Sequence, residues 1–303
     1  MLLNNIQYSK NSPAFSRIVT GVWKWGNWGA KLETEQITEL IDSSVEVGIT
    51  TFDHADIYGD YMEEERFGKA FKKSRYTRDK IQLITKCGIK LTGPNRPKHS
   101  IHSYDTSKKH ILLSVENSLA ALGTDYIDLL LIHRPSPFMS PHEIAEAFEE
   151  LIKSGKVRSV GVSNFTTDQF ETLNGYVELV TNQIEASLAK LDPFLDGTVL
   201  QCQKYRVRPM AWSPLGSGTL MTTPETDKQK RIDRESKEIC EKYNCKKAEL
   251  LLAFLLNHPS GIVPVLGTSK PERIQTASTA AAIKLERDDW FKLWVASTGE
   301  KLP

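Results

Sequence analysis

The sequence has no excess of charge of either sign, since 39 lysines and arginines stand against 38 aspartates and glutamates. Proteins that bind nucleic acid or anionic membranes through charge normally carry a clear basic excess. No apolar run approaches the roughly 18 residues that span a bilayer, and the N-terminal segment MLLNNIQYSKNSPAF lacks a basic start followed by an apolar stretch. We therefore expect a cytoplasmic protein that binds neither nucleic acid nor a membrane.

Cysteine is scarce, with four in 303 residues, and neither a C-x-x-C pair nor the spacing of a zinc site occurs. This pattern predicts reduced structural thiols and no bound metal. A redox role stays open for Cys87 alone, because it directly follows Lys86 in a segment that carries polar chemistry. The four are Cys87, Cys202, Cys240 and Cys245.

The G-x-G-x-x-G fingerprint of a Rossmann dinucleotide site is also missing, because Gly21, Gly26 and Gly29 have a different spacing. Heptads, low-complexity tracts and repeats of fixed period are absent as well. These absences exclude a phosphate-binding loop of the Rossmann kind, and they exclude coiled-coil and repeat architectures.

Short β-branched or apolar runs alternate with longer amphipathic segments along the whole chain. Strands that alternate with helices form parallel sheets, and eight such units without a linker close naturally into a barrel. We therefore predict an α/β fold, a (β/α)₈ TIM barrel, as one domain over residues 1–303. The eight strand candidates are RIVTGVW, TTFD, IQLITK, YIDLLLIH, VRSVGVS, VTNQIE, VRPMAWS and GIVPVLG.

Two segments fall outside the repeat. IQYSKNSPAFSR has turn residues between short extended pieces, which predicts an N-terminal hairpin placed to close the bottom of the barrel. ERDDWFKLWVASTGEKLP predicts an extra C-terminal helix after the eighth unit. The long linkers after the third and seventh strands should lie on the face where barrel enzymes build their active sites.

Polar residues end three of the predicted strands, where a barrel core would otherwise be apolar. Asp53 closes TTFD, Lys86 closes IQLITK and His133 closes YIDLLLIH, while the short loop HADIY returns Tyr58 toward Asp53. These four side chains should converge at the carboxyl end of the barrel. A buried ion pair of purely architectural value and a satisfied core histidine are the plainer alternatives.

Together, these four side-chain types suit proton transfer to a carbonyl oxygen. A free tyrosine titrates at about 10, and a neighbouring ammonium group lowers that value. Lys86 at about 4 Å supplies about 4 kcal/mol of attraction at an effective dielectric of about 20. We expect Asp53 to orient Lys86, and His133 to hold the carbonyl oxygen while Tyr58 donates the proton.

Seven motifs along the chain also occur together, in a fixed order, in one enzyme family. They are GITTFDHADIYGDYMEEERFGKAF, LITKCG, YIDLLLIHRP, GKVRSVGVSNF, TNQIEAS, AWSPLGSG and VPVLGTSKPERI. Through these motifs the chain resembles the aldo-keto reductases, and in particular their bacterial oxidoreductase branch. The resemblance implies NADPH-dependent reduction of an aldehyde or ketone to an alcohol by a monomer, with Asp53, Tyr58 and Lys86 joined by His133 as the catalytic tetrad.

The resemblance further implies where the cofactor NADP(H) binds. The nicotinamide carboxamide is held by Ser163, Asn164 and Gln183, and the nicotinamide ring stacks on Trp212. The pyrophosphate is wrapped by the next loop, through Ser213, Leu215 and Ser217. The turn after the first strand, with Gly21, Val22 and Trp23, approaches the nicotinamide beside Asp53.

The segment GTSKPERI follows the eighth strand near a predicted helix start, which is a geometry suited to phosphate. Its two cations favour a 2′-phosphate, hence NADPH over NADH, whereas the plainer interpretation is an ordinary solvated helix start. The predicted contacts are Gly267, Thr268, Ser269, Lys270 and Arg273.

The tryptophans of GVWKWGNWG are open to two interpretations. Trp23, Trp25 and Trp28 either line an aromatic substrate mouth or simply cover a loop. The predicted substrate-facing set is Trp23, Trp25, Tyr58 and His133.

Two other functions compete with reduction of a carbonyl compound. One is a redox-sensing or regulatory module that binds NADP(H) with little turnover, against which the complete tetrad argues. The other is a metal-dependent hydrolase, for which no ligand set recurs at the strand ends. The side chains that raise the metal alternative are His54, Asp56, His99, His102 and His110.

Overall fold

The computed structural model describes residues 4–302. Within this range no helix is long and apolar enough to cross a membrane. The strands are β1 (Asn5–Gln7), β2 (Ala14–Ser16), β3 (Val19–Gly21), β4 (Thr51–Asp53), β5 (Gln82–Cys87), β6 (Ile89–Lys90), β7 (Ser103–Tyr104), β8 (Leu129–Ile132), β9 (Val160–Ser163), β10 (Asn182–Glu185), β11 (Met210–Trp212) and β12 (Val263–Leu266). The helices are α1 (Thr34–Glu46), α2 (Tyr58–Tyr61), α3 (Glu63–Phe71), α4 (Lys108–Leu122), α5 (Pro141–Lys153), α6 (Thr167–Asn174), α7 (Asp192–Leu195), α8 (Thr198–Lys204), α9 (Asp227–Tyr243), α10 (Lys247–Leu256), α11 (Pro271–Thr279) and α12 (Arg287–Thr298).

Eight parallel strands close into a barrel in the order β3, β4, β5, β8, β9, β10, β11 and β12. Seven of them lie within their predicted segments and β5 extends one residue beyond IQLITK to Cys87, so the predicted (β/α)₈ fold is confirmed. The register places Gly21 beside Asp53 and Asp53 beside Ile84, while Lys86 lies beside Leu131. These pairings set the polar strand ends at one rim of the barrel.

Helix α5 illustrates why the outer layer forms. The Ser140 side chain accepts a hydrogen bond from the Glu143 amide, and proline occupies the start of the helix, where a missing amide proton does no harm. Ile144, Phe148 and Leu151 are buried, and their spacing places them on one face of the helix. This stripe attaches the helix to the barrel.

The N-terminal hairpin forms as predicted, with β1 and β2 antiparallel. Tyr8 and Phe15 are fully buried, and their rings stack with centroids 4.4 Å apart. Both belong to the cluster of barrel-interior side chains that includes Met210 and Val263. Hydrophobic burial of the two rings therefore fixes the hairpin against the barrel.

The extra C-terminal helix α12 is also confirmed. Trp290 stacks on Phe254 of α10 with centroids 4.6 Å apart, and its indole donates to the Phe254 carbonyl at 2.9 Å. The buried carboxylate of Asp289 accepts hydrogen bonds from Lys242 and Tyr243 of α9. The segment that ends the described chain is thus part of the packed shell.

Candidate active site

The ends of three strands bring the predicted polar side chains together. Lys86, at the end of β5, donates through Nζ to the Asp53 carboxylate at 2.7 Å and to the Tyr58 hydroxyl oxygen at 3.1 Å. A third hydrogen bond, 2.8 Å long, runs from Nζ to the His54 carbonyl. All three donor positions of the ammonium group are therefore used.

Lys86 and Asp53 form a buried ion pair, with side chains 1% and 4% exposed. Burial is the largest single influence on the pKa of Lys86 and lowers it, but Asp53 and Tyr58 together outweigh it and the net shift is upward. Lys86 is therefore a cation at neutral pH, and its third acceptor is the Tyr58 oxygen.

The pKa of Tyr58 differs from the expectation drawn from the sequence. Burial raises it, Lys86 lowers it to a smaller extent, and the net direction is upward. The expectation rested on the attraction of the ammonium group before desolvation, and the cost of removing a phenolate from water exceeds that attraction. Tyr58 is thus a phenol that accepts a hydrogen bond from Lys86, which leaves its own proton free to be donated.

His133 lies on the other side of the phenol, with its ring centroid 5.9 Å from that of Tyr58. Burial, followed by the charges of Lys86 and Arg134, lowers the pKa of His133 well below its ordinary value. Its buried Nδ1 has no hydrogen-bond partner among the described residues. A neutral imidazole has one N–H donor, which suits it to hold a carbonyl oxygen.

A chain of polar side chains borders this group. Gln183 donates to the second Asp53 oxygen at 2.9 Å, the Trp212 indole donates to Asn164 Oδ1 at 2.9 Å, and Asn164 donates to the Ser163 hydroxyl at 2.7 Å. Asn164 has a left-handed φ of 61°, a strained conformation of the kind that clusters at functional sites. The structure therefore assembles the predicted carboxamide-binding residues beside Asp53.

The loop after β11 turns sharply. Ser213 and Ser217 have left-handed φ values of 51° and 55°, and their hydroxyl oxygens lie 2.9 Å apart. The half-buried Leu215 side chain packs against two core clusters. Gly218 is exposed, and no atom of residues 4–302 lies within 4 Å of where its Cβ would be, which leaves open space beside the loop.

The turn after β3 approaches the barrel rim closely. A Cβ at Gly21 would lie 2.9 Å from the Leu266 carbonyl oxygen, so a larger residue does not fit there. Val22 is fully buried in a core cluster, and only its backbone faces the rim. Trp23 is 45% exposed.

The segment after β12 leads into α11, which begins at Pro271 with Lys270 as its N-cap. Lys270 and Arg273 are exposed, and neither forms an ion pair with another residue in 4–302. Thr268 and Ser269 are half-buried, and Gly267 is exposed with nothing within 4 Å of where a Cβ would be. This arrangement of free cations and open backbone suits a phosphate group.

The three tryptophans divide into two groups. Trp25 is fully buried, packs against Phe67 and donates through its indole to the Thr268 carbonyl at 2.8 Å. The prediction that Trp25 faces the substrate is therefore wrong, because its ring fills the core beneath the loop. Trp28 is 38% exposed and meets the Tyr58 ring edge-on at 6.3 Å, so it borders the site, whereas Trp23 is exposed at the surface.

Sequence analysis overlooked Arg134. Its guanidinium lies 5.8 Å from the centroid of the Trp212 ring, and its charge acts on both Tyr58 and His133. No described residue forms an ion pair with it. The available signal was its position directly after His133, at a strand end that already carried chemistry.

Two other side chains for which the sequence left a role open are buried. Cys87 is 1% exposed, and burial raises the pKa of its thiol well above the ordinary value, which disfavours the reactive thiolate. His54 is fully buried, and burial lowers its pKa to about 3. No group of three or more metal-ligating side chains occurs within residues 4–302.

The architecture agrees with comparisons to known proteins. The model of the Aldo/keto reductase family matches residues 17–294. The chain belongs to the aldo/keto reductase family. This membership confirms the predicted resemblance and supports reduction of carbonyl compounds in general.

Bacterial members of the family are similar over nearly their whole length. The uncharacterized oxidoreductase YcsN of Bacillus subtilis is 47% identical, over 95% of this chain and 96% of its own. A 6-dehydroglucose reductase of Agrobacterium fabrum is 42% identical, again over 95% and 96%. An aldo/keto reductase from Klebsiella pneumoniae, solved in complex with NADP and acetate, superposes with a TM-score of 0.75 at 25% identity, over 94% of both chains.

Proposed function

We propose that this aldo/keto reductase reduces an aldehyde or ketone to an alcohol with NADPH, and that Tyr58 donates the proton. The observation that carries the proposal is the hydrogen bond from Lys86 Nζ to the Tyr58 oxygen, within a site that also contains Asp53 and His133. An accepted hydrogen bond from a cation stabilises the phenolate that forms as the proton leaves.

Each side chain has a separate role in this proposal. Asp53 keeps Lys86 charged and fixed in position, and Lys86 stabilises the developing phenolate. Neutral His133 donates a hydrogen bond to the carbonyl oxygen, which polarises it and orients it toward the Tyr58 proton. Bound NADPH supplies the hydride.

The residues around the rim fit a nicotinamide cofactor. Ser163, Asn164 and Gln183 offer the donors and acceptors that a carboxamide requires, and the half-buried Trp212 ring offers a surface for stacking. The hydroxyls of Ser213 and Ser217 and the open backbone at Gly218 fit a pyrophosphate.

The preference for NADPH is assigned to Lys270 and Arg273. Replacing both by alanine is expected to raise the Kd for NADPH about 10-fold to 100-fold and to leave the Kd for NADH within about threefold, because only NADPH carries the 2′-phosphate. Fluorescence titration of each cofactor measures the two constants. Equal losses for both cofactors would contradict the assignment.

We further propose that the substrate carries hydroxyl or carboxylate oxygens near its carbonyl group. Arg134 supports this, since its guanidinium has no ion-pair partner among the described residues although it lies next to His133 and near Trp212. Relatives named 6-dehydroglucose reductases, one of them 42% identical, also support a polyhydroxylated substrate.

Replacing Arg134 by methionine tests the substrate proposal. Loss of one charge-assisted hydrogen bond, about 1.5–3 kcal/mol, is expected to lower kcat/KM for glyceraldehyde about 10-fold to 100-fold. Propanal, which has the same carbon chain without hydroxyl groups, is the matched substrate and should lose less than about threefold. An equal loss on both aldehydes would assign Arg134 to the fold or the cofactor instead.

The complete tetrad and the family match favour catalysis over a regulatory module that binds NADP(H) with little turnover. The expected cytoplasmic location and monomeric state stay predictions.

A further inference from the structure

The backbone directly after Tyr58 is unusual. Gly59, Asp60 and Tyr61 have consecutive left-handed φ values of 58°, 60° and 65°. Glycine adopts this region freely, whereas aspartate rarely and a bulky aromatic residue very rarely does so. We call Gly59–Tyr61 the left-handed turn. Contacts with residues outside the turn must hold it in this conformation.

The loop over residues 91–99 supplies those contacts. Asn95 donates through Nδ2 to the Asp60 carbonyl at 2.9 Å and to its carboxylate at 3.2 Å. The Leu91 amide donates to the Tyr61 hydroxyl at 2.8 Å, and the Arg96 guanidinium lies 4.1 Å from the centroid of the same ring. We call residues 91–99 the clamp loop.

The clamp loop and the turn fit closely. A Cβ at Gly93 would lie 2.6 Å from an Asp60 carboxylate oxygen, so a larger residue there would have to displace the Asp60 side chain. The loop also follows β5 and β6, and β5 carries Lys86, the hydrogen-bond partner of Tyr58, one residue before its end. The same stretch of chain therefore carries Lys86 and, a few residues later, contacts the turn that positions the Tyr58 hydroxyl.

We propose that Asn95 and Tyr61 are positioning residues, which hold the left-handed turn so that the Tyr58 oxygen stays within hydrogen-bond reach of Lys86. The inference rests on the proposed function of Tyr58 as proton donor. Neither residue touches the reacting atoms. Their contribution is to prevent the turn from relaxing toward an ordinary right-handed conformation, which would move the phenol away from the ammonium group.

Replacing Asn95 by alanine removes both hydrogen bonds to Asp60. In glyceraldehyde reduction we expect kcat to fall about 10-fold to 100-fold, the loss expected for a displacement of about 1 Å, with the Kd for NADPH within about twofold of wild type. The alkaline limb of the kcat profile should shift to higher pH. Among the charges that act on Tyr58, those of Lys86 and Arg134 lower its pKa and that of Asp53 raises it. The substitution weakens the contact with Lys86, so the pKa of Tyr58 should rise.

A second readout does not need catalysis. Tyr61 and Met62 donate backbone hydrogen bonds to Ile57 and Tyr58 at 3.3 and 3.2 Å. Hydrogen–deuterium exchange in a peptide over residues 57–67 should be faster in Asn95→Ala. Asn11→Ala is the matched control, because the exposed Asn11 amide also donates to a carboxylate, that of Glu178, far from the site. It should change neither kcat nor this exchange.

A rescue experiment separates positioning from general loosening of the loop. Glycine adopts left-handed φ values without strain, so adding Asp60→Gly to Asn95→Ala should recover most of the lost kcat. Tyr61→Phe removes the acceptor of the Leu91 amide, so it should lower kcat, as Asn95→Ala does.

The outcomes are distinguishable. An unchanged kcat in Asn95→Ala overturns the positioning role, whether or not hydrogen–deuterium exchange becomes faster. Failure of Asp60→Gly to restore kcat also overturns it, because strain in the turn would then not be the cause. If wild-type protein reduces no aldehyde with NADPH, the proposed function fails, and exchange over residues 57–67 still decides whether Asn95 holds the turn.

Discussion

Replacing Tyr58 by phenylalanine is expected to lower kcat for aldehyde reduction about 10²-fold to 10⁴-fold, the range that a general acid contributes. The ring and its packing against His133 and Trp28 are retained, so only the proton and the oxygen that accepts from Lys86 are lost. The Kd for NADPH should therefore stay within about threefold of wild type. Steady-state kinetics and fluorescence titration measure the two effects.

Tyr243→Phe is the matched control for this substitution. The Tyr243 hydroxyl also forms a hydrogen bond to a buried charged group, Asp289, but on the outer shell where α9 meets α12. This variant should keep wild-type kcat. Normal turnover in Tyr58→Phe would remove Tyr58 as the proton donor and with it the proposed mechanism.

Replacing Asp53 by alanine is expected to lower the free energy of unfolding by about 3–5 kcal/mol and to abolish most of the activity. The substitution leaves the Lys86 ammonium group buried without its counter-ion and removes the acceptor of Gln183. An uncompensated buried charge is one of the few changes that destabilise a protein by this much. Denaturant titration measures the loss.

Glu35→Ala is the control for the ion pair. Glu35 accepts from Lys73 at 2.7 Å, the same distance as in the buried pair, but both side chains are more than half exposed. Exposed ion pairs contribute little, so this variant should unfold at a wild-type denaturant concentration. Equal stability of Asp53→Ala and wild type would show that water reaches Lys86 and that the site is not dry.

The eight strands were predictable because each is a local pattern of apolar residues bounded by turns. The same holds for the proposed tetrad, since Asp53 ends a buried strand and Lys86 and His133 lie within one residue of the end of theirs, and parallel strands in a barrel present their carboxyl ends at one rim. The order of polar and apolar residues in the chain was sufficient for both inferences.

Other features depended on packing that no local pattern encodes. Trp25 looked like its exposed neighbours Trp23 and Trp28, yet it is buried against Phe67 because of how the loop folds back on the barrel. The role of Arg134 could not be predicted from the sequence, because whether an arginine has an ion-pair partner depends on its surroundings in the fold. Arg134 has none among the described residues.

The barrel, the hairpin, the final helix and the polar residues at the strand ends could be predicted from the order of residues alone, because they follow from periodicity within short segments. The raised pKa of Tyr58, where desolvation opposes Lys86, could not be predicted in this way, and neither could the left-handed turn that Asn95 contacts from another loop. Both depend on burial and on contacts between distant segments, which exist only once the chain has closed on itself.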